Sequence, residues 1–169
     1  WRPAHERLVV ESPGVRGLVV RPGCVYGLAG SLTGMWFESA ERDGATTVVG
    51  EGTNRWAMVH IHDLADAYVR LTESGLAGEI FNVTDRSRST VGEMAEAAAR
   101  AAGREGSVHR VPVEEAAVTM GELADCLALD QHVDGRKAVQ RLGWQPRHGG
   151  FADGVETYYA AWKVRQPKN

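Results

Sequence analysis

Arg55 stands beside Trp56 just after Gly50-Glu51-Gly52, and this grouping is the strongest chemical signal on the chain. A glycine-rich turn lets ligand approach the backbone, and a guanidinium holds a carboxylate or phosphate in two-point geometry. A surface ion pair accounts for the same arginine equally well. His60-Ile61-His62-Asp63 puts two imidazoles on one face of a strand, the beginning of a metal site. A third ligand is needed and nothing nearby supplies its spacing, so no metal is expected. Asp63 reads instead as a helix cap and His60 as partly exposed. Cys24 has no evident base beside it and reads as a small buried residue, not a reactive thiol.

The elements that must position these groups follow from periodicity and punctuation. Pro3 to Ser12 reads as the end of a helix, stopped by Ser12-Pro13-Gly14. Gly17 to Arg21 is a β-branched strand that opens into a loop at Arg21-Pro22-Gly23, the edge where open α/β sheets bind ligands. A Gly-rich turn leads to a helix over Leu32 to Arg42, then a strand over Thr46 to Val49. Trp56 to His60 alternates as a strand, and Ile61 starts a helix to about Ser74. Glu79 to Val83 is a strand, and Ser89-Thr90-Val91-Gly92-Glu93 supplies a capping box for an Ala-rich helix that Gly103 ends. A strand at Ser107 to Val111 and helices over Val113 to Leu123, Gly135 to Leu142 and Phe151 to Lys163 complete the pattern. Strands alternating with helices predict an α/β fold.

The bulk numbers bound the function. The 169 residues suit one domain, and 43% hydrophobic content can bury a real core. A net charge of -3 and no basic face argue against nucleic acid. No apolar run approaches the roughly 18 residues that span a bilayer, so no membrane partner is expected. Two distant cysteines, Cys24 and Cys126, suit a reducing cytosol, and a cytoplasmic protein is the default.

Val19-Val20-Arg21-Pro22-Gly23-Cys24-Val25-Tyr26-Gly27 resembles the Arg-Pro-x-x-Val-Tyr-Gly segment of extended short-chain dehydrogenases, the NAD-dependent epimerase/dehydratase family. Four further segments follow in the family's order. Gly50-Glu51-Gly52-Thr53-Asn54-Arg55 is similar to Gly-x-Gly-x-x-Arg, and Val59-His60-Ile61-His62-Asp63-Leu64-Ala65 to Val-x-Val-x-Asp-Val-Ala. Gly78-Glu79-Ile80-Phe81-Asn82-Val83 resembles Gly-x-x-Phe-Asn-Val, and Leu142-Gly143-Trp144-Gln145-Pro146 the closing Leu-Gly-Trp-x-Pro. The resemblance implies that residues 1–169 carry the final parallel strands of an NAD(P)-binding Rossmann fold plus the small α/β substrate-binding domain. It implies NAD or NADP as cofactor and a hydroxyl- or carbonyl-bearing small molecule, such as a sugar derivative, as substrate. Pro22, Gly23, Cys24 and Val25 would then shape the nicotinamide side, and Tyr26, Arg55 and Trp56 the substrate side.

The departures are as informative. The family's Gly-x-x-Gly-x-x-Gly coenzyme loop is absent, and so is its catalytic Tyr-x-x-x-Lys just before the first strand; if Glu6 is the glutamate that follows that lysine, the lysine position falls on Arg2 and the tyrosine before Trp1. That arginine favours the alternative of a non-catalytic binding or regulatory domain, because a planar guanidinium is a poor substitute for an ammonium. Cys24 and Leu28 replace the asparagine and proline of sugar-nucleotide members. Tyr159-Ala160-Ala161-Trp162-Lys163 has the catalytic spacing, yet lies after every family landmark and reads as a packed helix tail. Gly27-Leu28-Ala29-Gly30-Ser31-Leu32-Thr33-Gly34 follows a strand and opens a helix, but its last glycine is one residue late for a pyrophosphate. The strand at Gly17 to Arg21 would keep an apolar edge open to another chain, which admits a homodimer.

Overall fold

A computed structural model describes residues 1–166. The chain runs α1 (Arg2–Glu11), β1 (Leu18–Pro22), β2 (Cys24–Tyr26), α2 (Gly34–Asp43), β3 (Thr46–Val49), β4 (Met58–His60), α3 (Ile61–Glu73) and β5 (Glu79–Val83). It continues through α4 (Val91–Ala101), β6 (Val108–Val111), α5 (Val113–Met120), α6 (Leu123–Ala128), α7 (Arg136–Leu142), a 3-10 turn (Ala152–Gly154) and α8 (Val155–Arg165). The fold is α/β, and all three strand pairs are parallel: β1 with β5, β2 with β4, and β3 with β6. No helix among the described residues is long and apolar enough to cross a membrane.

The local signals work as their chemistry dictates. Thr90 accepts from the Glu93 N–H at 3.2 Å while Glu93 accepts from the Thr90 N–H at 2.8 Å, closing the capping box that starts α4. Gly44 takes a left-handed conformation (φ 77°) to end α2, a position that costs other residues energy.

Three elements differ from the expectation. Arg21-Pro22-Gly23 does not open a loop; the chain passes directly into β2. A Cβ on Gly23 would lie 2.6 Å from the Ala57 carbonyl oxygen, so only glycine lets the chain cross there. The Gly23 N–H still donates to Val83, and the Cys24 N–H already donates to Ala57, so the strand changes partner within one residue. The expected helix over Val113 to Leu123 breaks at Gly121 (φ 58°) into α5 and α6. The last helix begins as a 3-10 turn, and α8 proper starts at Val155.

Two apolar clusters hold these layers. The larger gathers Trp36, Phe37, Trp56, Phe151 and Tyr26 with the small face of α4 (Ala95, Ala97, Ala98). Trp36 and Trp56 stack at 5.3 Å, and the Trp56 indole donates to the Leu127 carbonyl at 2.9 Å. The smaller packs Val59, Ala67, Leu71, Phe81, Val83 and Ala138 around the fully buried Trp144. Truncating a buried tryptophan to alanine costs about 3–5 kcal/mol, so Trp144 is a principal anchor.

Among the described residues β1 pairs with β5 alone, leaving its other edge without a strand. Trp1, Leu8 and Val15, on and beside α1, are strongly exposed. Sedimentation velocity over a concentration series is expected to show self-association; a compact monomer at every concentration would show that this face needs no cover.

Candidate functional site

The carboxyl ends of β1 and β5 meet the amino ends of β2 and β4, and two cavities open beside that junction. The smaller, of about 420 Å³, is lined by Arg21, Pro22, Gly23, Cys24 and Asn82. The larger, of about 770 Å³, is lined by Arg55, Trp56, Met58, Thr84 and the loop Asp85 to Arg88. Ala57 and residues 131–134 line both, so the two adjoin. The expected nicotinamide-side residues Pro22, Gly23 and Cys24 therefore meet the expected substrate-side residues Arg55 and Trp56 across a common wall.

Val25 and Tyr26 are placed differently. Val25 lies outside both linings. Tyr26 is fully buried, its ring set edge-on to His60, Phe151 and Tyr158. Its hydroxyl and the Oδ2 atom of Asp85 are buried without a hydrogen-bond partner. Burial and the neighbouring Asp85 charge push the Tyr26 hydroxyl far up, so it stays protonated at any working pH. A strand alternates its faces, and at Tyr26 the alternation points inward. Burial also pushes the Cys24 thiol up to about 11, which removes it as a nucleophile near neutrality.

Arg55 is held from three sides. Its backbone N–H donates to Asp130 Oδ1 at 2.8 Å, its Nε donates to the Arg88 carbonyl at 3.0 Å, and it bridges antiparallel to Thr90. No carboxylate forms an ion pair with it among the described residues. Arg55 thus lines the larger cavity on a stem held by the Arg88 carbonyl.

The histidine pattern gains a member that lies far away in sequence. His148 comes within reach of His60 and His62, and one ligand atom from each falls within 4.8 Å of the others. The arrangement does not suit an ion. His60 and His148 stack face to face at 3.5 Å and 16°, so their in-plane lone pairs run parallel instead of converging. The His60 Nδ1 atom also accepts from the His62 N–H, which caps α3. His60 is buried rather than partly exposed, and it, not Asp63, is the N-cap; Asp63 sits in the first turn of α3. The Asp63 carboxylate instead accepts from the Arg147 N–H, the His148 N–H and His148 Nδ1, at 3.0–3.1 Å.

The two motif mimics are occupied elsewhere. Tyr159 and Lys163 share the Glu41 carboxylate of α2, and Lys163 does so at 3.1 Å. The loop before α2 satisfies its own amides: Thr33 N–H donates to Ser31 Oγ, Gly34 to Ser31 O, and Met35 to Leu32 O. Those donors are the ones a pyrophosphate at this helix end would need.

This architecture of parallel strand pairs between helices is a Rossmann-type α/β fold. Residues 5–84 match the model of the NAD dependent epimerase/dehydratase family, so nearly half of the chain is similar to that family. An uncharacterized protein of Schizosaccharomyces pombe is 31% identical over 144 residues, 81% of this chain and 46% of that protein. A second, from Saccharomyces cerevisiae, is 26% identical over 90% of this chain and 51% of its own length. The chain thus spans about half the length of the curated relatives it matches. Among solved structures, human epimerase family protein SDR39U1 with NADPH superposes with a TM-score of 0.74 at 24% identity, over 88% of this chain and 50% of that one. DesIV, a dTDP-glucose 4,6-dehydratase from Streptomyces venezuelae with NAD and TYD bound, gives 0.73 at 21%, over 95% and 48%. These likenesses show the fold.

Two outcomes are expected. Burial and the charges of His148 and His62 lower His60 to about 4, so the unfolded chain takes up its proton first. Stability should therefore fall as pH drops from about 6.5 toward 4, and His60→Gln should flatten that slope in urea melts across pH. Calorimetric titration of the chain with NAD+, NADH, NADP+ and NADPH should show weak binding or none; micromolar affinity would return the loop before α2 to consideration.

Proposed function

We propose that this chain is the substrate-binding half of an NAD(P)-dependent epimerase, dehydratase or reductase that acts on a hydroxyl- or carbonyl-bearing small molecule. The observation that carries the reading is the pair of adjoining cavities, one edged by Pro22, Gly23 and Cys24, the other by Arg55 and Trp56. The smaller cavity fits the nicotinamide end of a coenzyme: it is open, flanked by strand ends, and free of a thiolate. NAD or NADP, when bound, supplies hydride exchange with the substrate carbon. The chain's own residues hold and orient. Pro22 and Gly23 give a rigid rim without side-chain bulk, Trp56 forms an apolar wall, and Arg55 holds an acidic group of the substrate. Tyr26 supports this floor from beneath, and the general acid/base is a tyrosine outside residues 1–169. The human and Streptomyces neighbours, with NADPH and NAD, support the cofactor class. The same reading makes the intact protein cytoplasmic, and the open β1 edge favours a homodimer or another covering chain.

A second reading, a non-catalytic binding domain of the same fold, is favoured by Arg2. It lies one helical turn before Glu6, whose buried carboxylate is paired with Arg21 and thereby committed to structure. Either reading uses Arg55 for ligand.

In the intact protein, Arg55→Ala is expected to lower kcat/KM by about 10–150-fold, the equivalent of about 1.5–3 kcal/mol for a charged hydrogen bond. The melting temperature should change little. Unchanged kinetics with a lowered melting temperature would make Arg55 a structural residue.

A further inference from the structure

We infer that Tyr26 and Asp85 form a buried latch, in which the Tyr26 hydroxyl donates to Asp85 Oδ2, and that this latch positions the loop beside the larger cavity. Its functional consequence rests on the ligand role of that cavity; the latch itself does not. Among the described residues, two side-chain atoms are buried without a hydrogen-bond partner, the Tyr26 hydroxyl and Asp85 Oδ2. Orphaned buried polar groups are rare, because each forfeits its bonds to water. One of these is a donor and the other a carboxylate acceptor, so each supplies what the other lacks.

The strand register brings the pair together. Cys24 stands opposite Met58 and Tyr26 opposite His60, and the Asp85 N–H donates to the Met58 carbonyl at 2.6 Å. Asp85 is therefore fastened to β4 two positions before the partner of Tyr26. Its Oδ1 accepts from the Ser87 N–H at 2.9 Å and the Ser87 hydroxyl at 2.6 Å, which leaves Oδ2 turned into the interior. Burial raises the Tyr26 hydroxyl most and the Asp85 charge adds to it; burial likewise raises Asp85, while contacts from Ser87 and Tyr26 pull it back. The other ionisable groups around the pair are committed elsewhere. Tyr158 and His60 meet the Tyr26 ring edge-on, and Asp63 holds Arg147 and His148.

The latch reaches the cavity through the loop. Asp85 carries the turn at Ser87, and one residue on, the Arg88 carbonyl accepts from Arg55 Nε at 3.0 Å. Asp85, Ser87, Arg88 and Arg55 all line the larger cavity, whereas Tyr26 is fully buried and lies outside its lining. Tyr26 is accordingly a positioning residue that acts on the cavity through Asp85. Removing its hydroxyl keeps the ring packing but leaves a buried carboxylate oxygen with no donor. Asp85 then gains by turning toward water in the cavity, and the turn at Ser87 moves with it.

The test compares the full chain with Tyr26→Phe by carbon-13 NMR titration of the aspartate carboxyl groups, the Asp85 signal being assigned from Asp85→Asn. A hydrogen bond to the charged form favours that form, so loss of the donor should raise the proton affinity of Asp85 about tenfold. Amide hydrogen exchange gives the second readout. In Tyr26→Phe the Asp85 and Ser87 N–H groups should exchange about tenfold faster, while the Glu93 N–H, held by the Thr90 cap, keeps its rate. Asp85→Asn retains a carbonyl for Ser87 and offers an amide to the Tyr26 oxygen, so it should keep the slow exchange at Ser87 that Asp85→Ala loses. That contrast decides the matter without altering Tyr26, and a tyrosine that only packs would leave the Asp85 titration unmoved. An Asp85 titration in Tyr26→Phe that matches the parent would overturn the inference. So would equal Ser87 exchange in Asp85→Asn and Asp85→Ala. Neither readout uses a ligand: unchanged kinetics in Arg55→Ala would remove the substrate reading and leave the latch, and an unmoved Asp85 titration would do the reverse.

Discussion

The Asp63 carboxylate is the interaction on which the rest of this structure depends. It lies in the first turn of α3, nearly inaccessible to solvent, and gathers two backbone N–H groups and one imidazole from residues 147–148. Burial alone would raise its pKa; the bonds from His148 and Arg147 reverse that and hold the carboxyl below its usual range. Its own carbonyl oxygen receives the Trp144 indole at 2.9 Å. One residue therefore fixes both the large anchor of the smaller core and the segment that leads to Phe151 in the larger one. Without its carboxylate, three donors would lose their acceptor at once.

That clamp explains why the histidine cluster looks like a metal site and is not built as one. His148 is brought to His60 by its bonds to Asp63, and the stack is a consequence of that docking. The cluster belongs to the scaffold behind β4. The larger cavity lies at the other end of the strand, beside Ala57 and Met58, so the cluster and the cavity occupy opposite ends of β4.

The partner change at Gly23 matters as much for the cavities. Because the chain passes from β5 to β4 within one residue, Pro22 and Cys24 edge one cavity while Ala57 stands between that cavity and the next. A side chain at position 23 would push β2 away from Ala57 and separate the two spaces. The adjoining cavities are thus a packing consequence of one missing Cβ.

Local chemistry was readable from the chain itself. The Thr90–Glu93 box, the β-branched runs at Thr46–Val49 and Glu79–Val83, and the helix stops at Asp43-Gly44 and Gly143 all depend on neighbours within a few residues, and the strand and helix order followed from them. Ordered family-like segments likewise marked Arg55 and Trp56 beside the strand ends. Tertiary structure decided what distant segments do to one another. Tyr26 turned inward because the chain remains a strand past Gly23, and His148 joined His60 from 88 positions away along the chain. Short-range hydrogen bonding is encoded in adjacent residues, whereas burial and charge proximity are properties of the packed whole; that difference sets the boundary.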